Sequence, residues 1–336
     1  YEKLPNKKEL DNFKKQLAEE RQLPPEIILS LENRPKDALP MDILQAGAAM
    51  LAHHDPDAKE LSLEAANRMA IKLIAKFPTI IAAWSRIRNN QKPIEPNPSL
   101  SHAANFLYMM NGTIPDDELT GFFDVCLVLH AEHSFNASTF AAREVASTRA
   151  HMYSAVAAGV GSLSGELHGG ANTRVMEMLL EIGSVDKVEE YVTNLLDTGG
   201  IIMGLGHAVY QTDDPRAHIL APMSKTMGER TGETRWYEMT KLLEQKGKEA
   251  FKRKKGRAIY VNVDFYSAAL YYYMGIPADL FTPIFAIARI SGWAAHVIEE
   301  QFGGAAPKPV LYRPDSQYIG DYCGPDLCAF VPIEDR

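Results

Sequence analysis

Cysteine is scarce in this chain: Cys126, Cys323 and Cys328 are the only three in 336 residues. That excludes a disulfide framework and fits a reducing compartment. Cys323 and Cys328, with four residues between them and no histidine nearby, read as unpaired thiols. Long apolar runs are lacking too. None approaches the roughly 20 residues that span a bilayer; the stretch Phe281 to Ile290 is short and Arg289 interrupts it. No signal-peptide pattern opens the chain. Excess positive charge is absent: the net charge is −8, spread along the sequence, which argues against nucleic acid or an anionic membrane as partner. An anionic small substrate remains compatible, since it needs only local positive charge. Internal repeats and sustained period-two alternation are also missing, so any strands are short. Metal-site spacing is incomplete. Cys126, His130 and His133 share a helical face but lack a fourth ligand, and the sequence there is not His-Glu-x-x-His, so no metal is expected.

What is present is helical pattern almost throughout, in a chain long enough for two domains and, at 46% apolar residues, for a large core. Lys8 to Arg21 reads as a charged amphipathic helix ended by Pro24-Pro25, and Pro40-Met41-Asp42 as a helix start. Ser62 caps a helix expected to reach Lys76, followed by a Pro- and Asn-rich loop from Asn89 to Ser101. Asp117 to His133 reads as a buried helix. The alanine-rich stretch Ser138 to Gly159 reads as a packed helix pair. Two regions read as hinges: the glycines 159, 161, 165, 169 and 170, and Gly275-Ile276-Pro277, which ends a helix starting near Asp264. Between them runs a more charged segment, with Lys252-Arg253-Lys254-Lys255.

Three short blocks carry the chemistry: Leu167-His168-Gly169-Gly170-Ala171-Asn172; Gly206-His207 with Asp214-Pro215-Arg216; and Asn262-Val263-Asp264-Phe265-Tyr266-Ser267. Each sets one titratable group on a tight backbone. Two imidazoles and one carboxylate are a minimal set for forming an enolate at neutral pH and protonating what it attacks. A following arginine suits a carboxylate-bearing substrate. Each block also has a bland reading. His168 alone is a loop histidine, and Asp264 alone is a helix N-cap. The glycines before His207 lack the Lys-Ser/Thr of a phosphate loop. Arg289 is more pointed, because an unpaired guanidinium inside an apolar helix is costly.

In order and wording these blocks resemble the citrate synthase family. So do the run Leu129-His130-Ala131-Glu132-His133-Ser134-Phe135-Asn136 and the stretch Leu280 to Arg289, and the resemblance covers nearly the whole chain. It implies a mainly α, citrate synthase-like fold. A large helical domain (1–169 and 280–336) would be interrupted by a smaller helical domain (170–279) carrying CoA-side residues, with the substrates in the cleft. It implies condensation of acetyl-CoA with oxaloacetate and hydrolysis of citryl-CoA to citrate and CoA. Asp264 would take the methyl proton, His168 would hold the thioester oxygen, and His207 would activate the ketone. His133, Arg216, Arg289 and Arg313 would hold the oxaloacetate carboxylates, with Arg313 reaching the partner subunit's site in a homodimer.

Lys255 and Arg257 match basic CoA contacts, whereas Ala208 and Gln211 stand where many members carry basic residues. No cofactor is implied, acetyl-CoA being a substrate. Other members reach the sequence Tyr1 to Asn6 only after several dozen residues, so an N-terminal piece is expected to be missing. The expected location is cytoplasmic, with the mitochondrial matrix left open. Two rivals stand beside this reading. One is 2-methylcitrate synthase, which uses propionyl-CoA; one methyl group discriminates by only about 1–3 kcal/mol. The other is a catalytically silent helical scaffold.

Overall fold

The computed structural model describes residues 3–206, 210–305, 310–317 and 333–335. Fourteen α-helices lie within them: α1 (Lys7–Glu19), α2 (Pro25–Glu32), α3 (Pro40–Leu51), α4 (Leu63–Arg88), α5 (His102–Asn111), α6 (Asp117–His130), α7 (Ala137–Ser147), α8 (Met152–Leu163), α9 (Ala171–Ile182), α10 (Val188–Asp197), α11 (Pro215–Thr231), α12 (Arg235–Lys255), α13 (Asp264–Tyr273) and α14 (Phe281–Phe302). Among the described residues the one β-type pairing is an antiparallel bridge between Leu205 and Val261.

The caps are legible in the sequence. Asn6 and Glu9 close a reciprocal capping box on α1, and Ser62 Oγ accepts from Ala65 N at 3.1 Å to start α4. Helix α4 then overruns its expected end at Lys76, passing through Pro78 to Arg88. Proline removes one backbone hydrogen bond, but Phe77, Ile80, Ile81 and Trp84 are fully buried around it, and that packing outweighs the loss. Helix α6 stops at His130, three residues short of the expected end. The glycines at 159 and 161 are not in a loop. They lie inside α8, against Trp293 and Gln45 respectively.

Helix α14 runs through the middle of one helical group, packed on α4, α6, α7 and α8. By length and composition the segment Ala278–Phe302 is apolar enough to cross a membrane, but 78% of its apolar window is buried inside the protein, as in a core helix. Helices α9 to α13 pack mainly on one another, with α9 also touching α14 and α11 touching α6. The site lies where these two groups meet.

Candidate active site

One open cavity of about 680 Å³ is lined by His133, His168, Arg216, Asp264 and Arg289, together with Phe135, Leu167, Gly206 and Phe285. Five of the expected site residues therefore converge from five separate segments. His207 and Ala208 lie outside the described residues, although Gly206, immediately before them, lines the cavity. Lys255 and Arg257 are exposed at the C-terminal end of α12 and do not line it. Arg313 is also exposed and is not among the lining residues.

Asp264 is placed by the pairing of two distant segments. Gly206 N donates to Tyr260 O at 2.7 Å, and Asn262 N donates to Gly204 O at 3.0 Å. Gly204 is required here for two reasons. Its φ is +80°, and a Cβ would stand 2.5 Å from the Phe265 ring. Asp264 is not the cap of α13 but its first residue; Asn262 Oδ1 accepts from the Asp264 N–H at 3.1 Å. The carboxylate is thus left for other work. Its Oδ1 is buried without a hydrogen-bond partner, and burial lifts its pKa from 3.8 to about 6. Arg216 and Arg289 oppose that rise without cancelling it.

His168 sits in the turn between α8 and α9, where Gly169 N donates to Leu163 O at 3.0 Å. Its Nε2 meets the first turn of α7: Ser138 N donates to it at 3.2 Å, and Ser138 Oγ lies 2.8 Å away. A backbone N–H can only donate, so Nε2 is the acceptor. The neutral ring therefore carries its proton on Nδ1. Burial and the Arg289 charge push the imidazole down to about 4, and the positive end of α7 acts in the same sense. Sequence reasoning did not single out Ser138. It lies inside the quoted run, but its residue type alone carries no signal, and neither does that of Trp293, whose indole donates to Ser138 Oγ at 3.1 Å.

The guanidiniums differ. Arg216 forks onto the buried Asp214, with Nε to Oδ1 at 3.0 Å and a terminal nitrogen to Oδ2 at 2.7 Å. Arg289 is 2% exposed and makes no ion pair among the described residues. Its Nε donates to His130 O at 2.8 Å, and Phe285 lies under the guanidinium at 4.7 Å. Burial and Arg216 depress it to about 10. A buried cation of this kind wants an anion. His133 Nε2 lies 3.2 Å from the Tyr210 hydroxyl, a residue the sequence reading had not assigned, and burial and both arginines lower its pKa.

His130 takes a packed role rather than facing the cavity. It is fully buried, Nδ1 lies 2.8 Å from Cys126 O, and burial holds it down to about 3. Cys126 is a buried free thiol; Cys323 and Cys328 lie outside the described residues. No cluster of three or more metal-ligating side chains occurs among the described residues.

A neutral imidazole donor, a carboxylate raised toward neutrality and an unmatched guanidinium around one cavity equip it for acid–base chemistry on an anionic substrate. Comparison with known proteins agrees. The family model "Citrate synthase, C-terminal domain" matches residues 1–315, and the chain belongs to this family. Citrate synthase 2 of Bacillus subtilis is 45% identical, the match covering 99% of this chain and 86% of that protein. A second Bacillus subtilis relative, citrate/2-methylcitrate synthase, is 39% identical over 95% of this chain and 82% of its own length. A ternary complex of carboxymethyl coenzyme A and oxaloacetate with citrate synthase from the archaeon Thermoplasma acidophilum superposes with a TM-score of 0.89 at 29% identity, covering 100% of this chain and 86% of that one.

Proposed function

We propose that this enzyme condenses acetyl-CoA with oxaloacetate and hydrolyses the resulting thioester to citrate and CoA, with the residues above in defined roles. Asp264 removes a proton from the acetyl methyl group. The Nδ1–H of His168 donates to the thioester oxygen as negative charge moves onto it, so the enolate forms without full charge separation. The enolate carbon bonds to the ketone carbon of oxaloacetate, and His207 supplies the proton that turns that ketone into a hydroxyl. Water then attacks the thioester carbon of citryl-CoA, and CoA leaves as its thiol. Arg289, Arg216 and His133 hold the oxaloacetate carboxylates. The single observation that carries this reading is the pair His168 and Asp264 on one cavity. The imidazole is held neutral by an α7 N–H, and the carboxylate has a buried, unpartnered oxygen.

The enzyme works as a homodimer, and Arg313 completes the partner's carboxylate site; its exposure outside its own chain's cavity supports this. Residues 170–279 move as a smaller domain that closes over oxaloacetate and excludes water until condensation is done. Lys255 and Arg257 meet CoA phosphates. No cofactor is needed, because guanidiniums and imidazoles supply the electrophilic stabilisation.

The relative named citrate/2-methylcitrate synthase favours one further reading, propionyl-CoA as donor. The test is thiol release with oxaloacetate and either acetyl-CoA or propionyl-CoA. A higher kcat/KM with acetyl-CoA is expected, and no thiol release with either donor would sink the assignment.

A further inference from the structure

The loop that carries His133 has an unusual backbone. Ser134, directly after the imidazole, has a φ of +53°, a left-handed conformation that serine seldom adopts. Such a conformation persists only where the surroundings over-determine it. Within the loop, Asn136 Nδ2 donates to His133 O at 3.3 Å, and Gly292 N on α14 donates to Ala131 O at 3.1 Å. Glycine is needed at 292, since a Cβ would stand 2.4 Å from that carbonyl.

The side chains that bracket His133 are held by a second cluster outside the cavity. Arg143 on α7 is 3% exposed and donates to His296 Nδ1 at 3.0 Å. Nδ1 is therefore the acceptor, and His296 Nε2–H is left to donate to Glu132 Oε1 at 3.2 Å. Two residues beyond His133, the Phe135 ring lies under the Arg143 guanidinium at 4.6 Å and edge-on to His296 at 5.4 Å. Glu132 and Phe135 are thus both fixed from the Arg143–His296 pair, one on each side of His133.

The same arginine reaches the chain's C-terminal stretch. Arg143 pairs with Glu300, whose side chain is 5% exposed, at 2.6 Å, and Glu300 accepts from the Tyr312 hydroxyl at 2.7 Å. The Tyr312 ring stacks on Phe140 at 6.0 Å, and its backbone N–H donates to Ser147 Oγ at 3.4 Å. Arg143 also meets Glu299.

We propose that Arg143 and His296 are positioning residues that clamp the His133 loop, and that Tyr312, acting through Glu300 and Arg143, makes the clamp depend on the seating of the stretch Val310 to Gln317. This deepens the reading that His133 holds a substrate carboxylate. Seating of the residues around Arg313 and order in the oxaloacetate site then become one event.

The test uses the whole enzyme and reads oxaloacetate affinity by calorimetry beside kcat and KM. His296→Phe keeps ring volume but cannot bridge Arg143 to Glu132. It should weaken oxaloacetate binding by about tenfold, the size of one lost charge-assisted hydrogen bond, with kcat changed less than KM. His296→Gln can both accept and donate, and should recover most of that loss. Tyr312→Phe keeps the stack and loses only the hydroxyl; it should raise KM for oxaloacetate by about threefold, and less than additively when combined with His296→Phe. Unchanged affinity in His296→Phe and Tyr312→Phe, or equal damage in the Phe and Gln variants, would overturn the proposal. If His296→Phe fails to fold, Tyr312→Phe and His296→Gln decide on their own. His133→Ala separates the two readings. If it binds oxaloacetate normally, the role given to His133 is wrong. If it loses binding while the clamp variants do not, only the clamp is wrong.

Discussion

Asp264→Asn should abolish condensation and, at the same time, make the protein more stable at neutral pH. The carboxyl ionises near 3.8 in an unfolded chain and near 6 in the folded one, because burial disfavours its charged form. Between those values the native state holds a proton that the unfolded state has released. Stability therefore falls as pH rises through that window and stays low above it. At pH 7 the buried charge costs about 3 kcal/mol. Asparagine removes the charge but brings an amide N–H pair with no acceptor in place, at about 1 kcal/mol. The net gain is about 2 kcal/mol, or about 3 °C in Tm for a chain of 336 residues. At pH 5 the gain should shrink to about 1 °C, since the wild-type carboxyl is then largely protonated. The assay is thermal unfolding of both proteins at pH 5 and pH 7.5, beside thiol release and oxaloacetate calorimetry. Oxaloacetate binding should survive, since the proposed role of Asp264 is on the acetyl donor. A variant no more stable than wild type at pH 7.5, or a difference that does not vary with pH, would show that no strained ionised carboxylate sits there. Turnover within about tenfold of wild type would remove Asp264 as the base, whose contribution is expected to reach 10²-fold or more.

Other outcomes follow from the same geometry. Gly204→Ala should destabilise the fold by about 2–4 kcal/mol, combining overpacking against Phe265 with a left-handed backbone, and should cut turnover; thermal unfolding and the thiol assay measure both. Arg289→Lys should raise KM for oxaloacetate by at least about tenfold, since an ammonium cannot reproduce a planar fork seated on Phe285; an unchanged KM would remove Arg289 from the carboxylate site. Arg313→Ala and Asp264→Asn should each be nearly inactive, whereas a refolded mixture should regain activity, because a mixed dimer holds one intact site if Arg313 acts in trans as proposed. Failure to complement, with mixed dimers confirmed by mass, would refute a shared site. The acid limb of kcat/KM should titrate near pH 6, where Asp264 loses its negative charge.

Much of this was legible in the sequence where a local rule decides. Ser62 caps the helix its side chain suits, and Pro40 opens α3. The site-bearing blocks were legible because their glycines mark backbone where a side chain would be strained or crowded, as at Gly204. Where packing overrides local preference, the reading failed. Pro78 looks like a stop but lies inside a helix whose buried face holds it, and Gly159 and Gly161 look like loop glycines but lie inside α8 at close contacts. Asp264 alone looks like a cap because aspartate is a favoured one; it is instead the first residue of α13, whose cap position is Val263, and its N–H donates to Asn262 Oδ1. Ser138, Tyr210 and His296 had no local signal. Their roles come from partners 30, 77 and more than 150 residues away in the chain, a distance that periodicity does not cover.

The bridge between Leu205 and Val261 has a consequence for how a new chain becomes an enzyme. It joins segments whose site residues, Gly206 and Asn262, lie 56 positions apart, and closing that long loop yields few contacts until α11 to α13 have packed. His133 and His168 come far earlier in the chain, but Asp264, which lines the same cavity, does not. A nascent or partly refolded molecule would thus show nearly full helical signal while remaining catalytically blank. Regain of turnover would then trail regain of circular dichroism, and the interval between them would time the closing of that bridge.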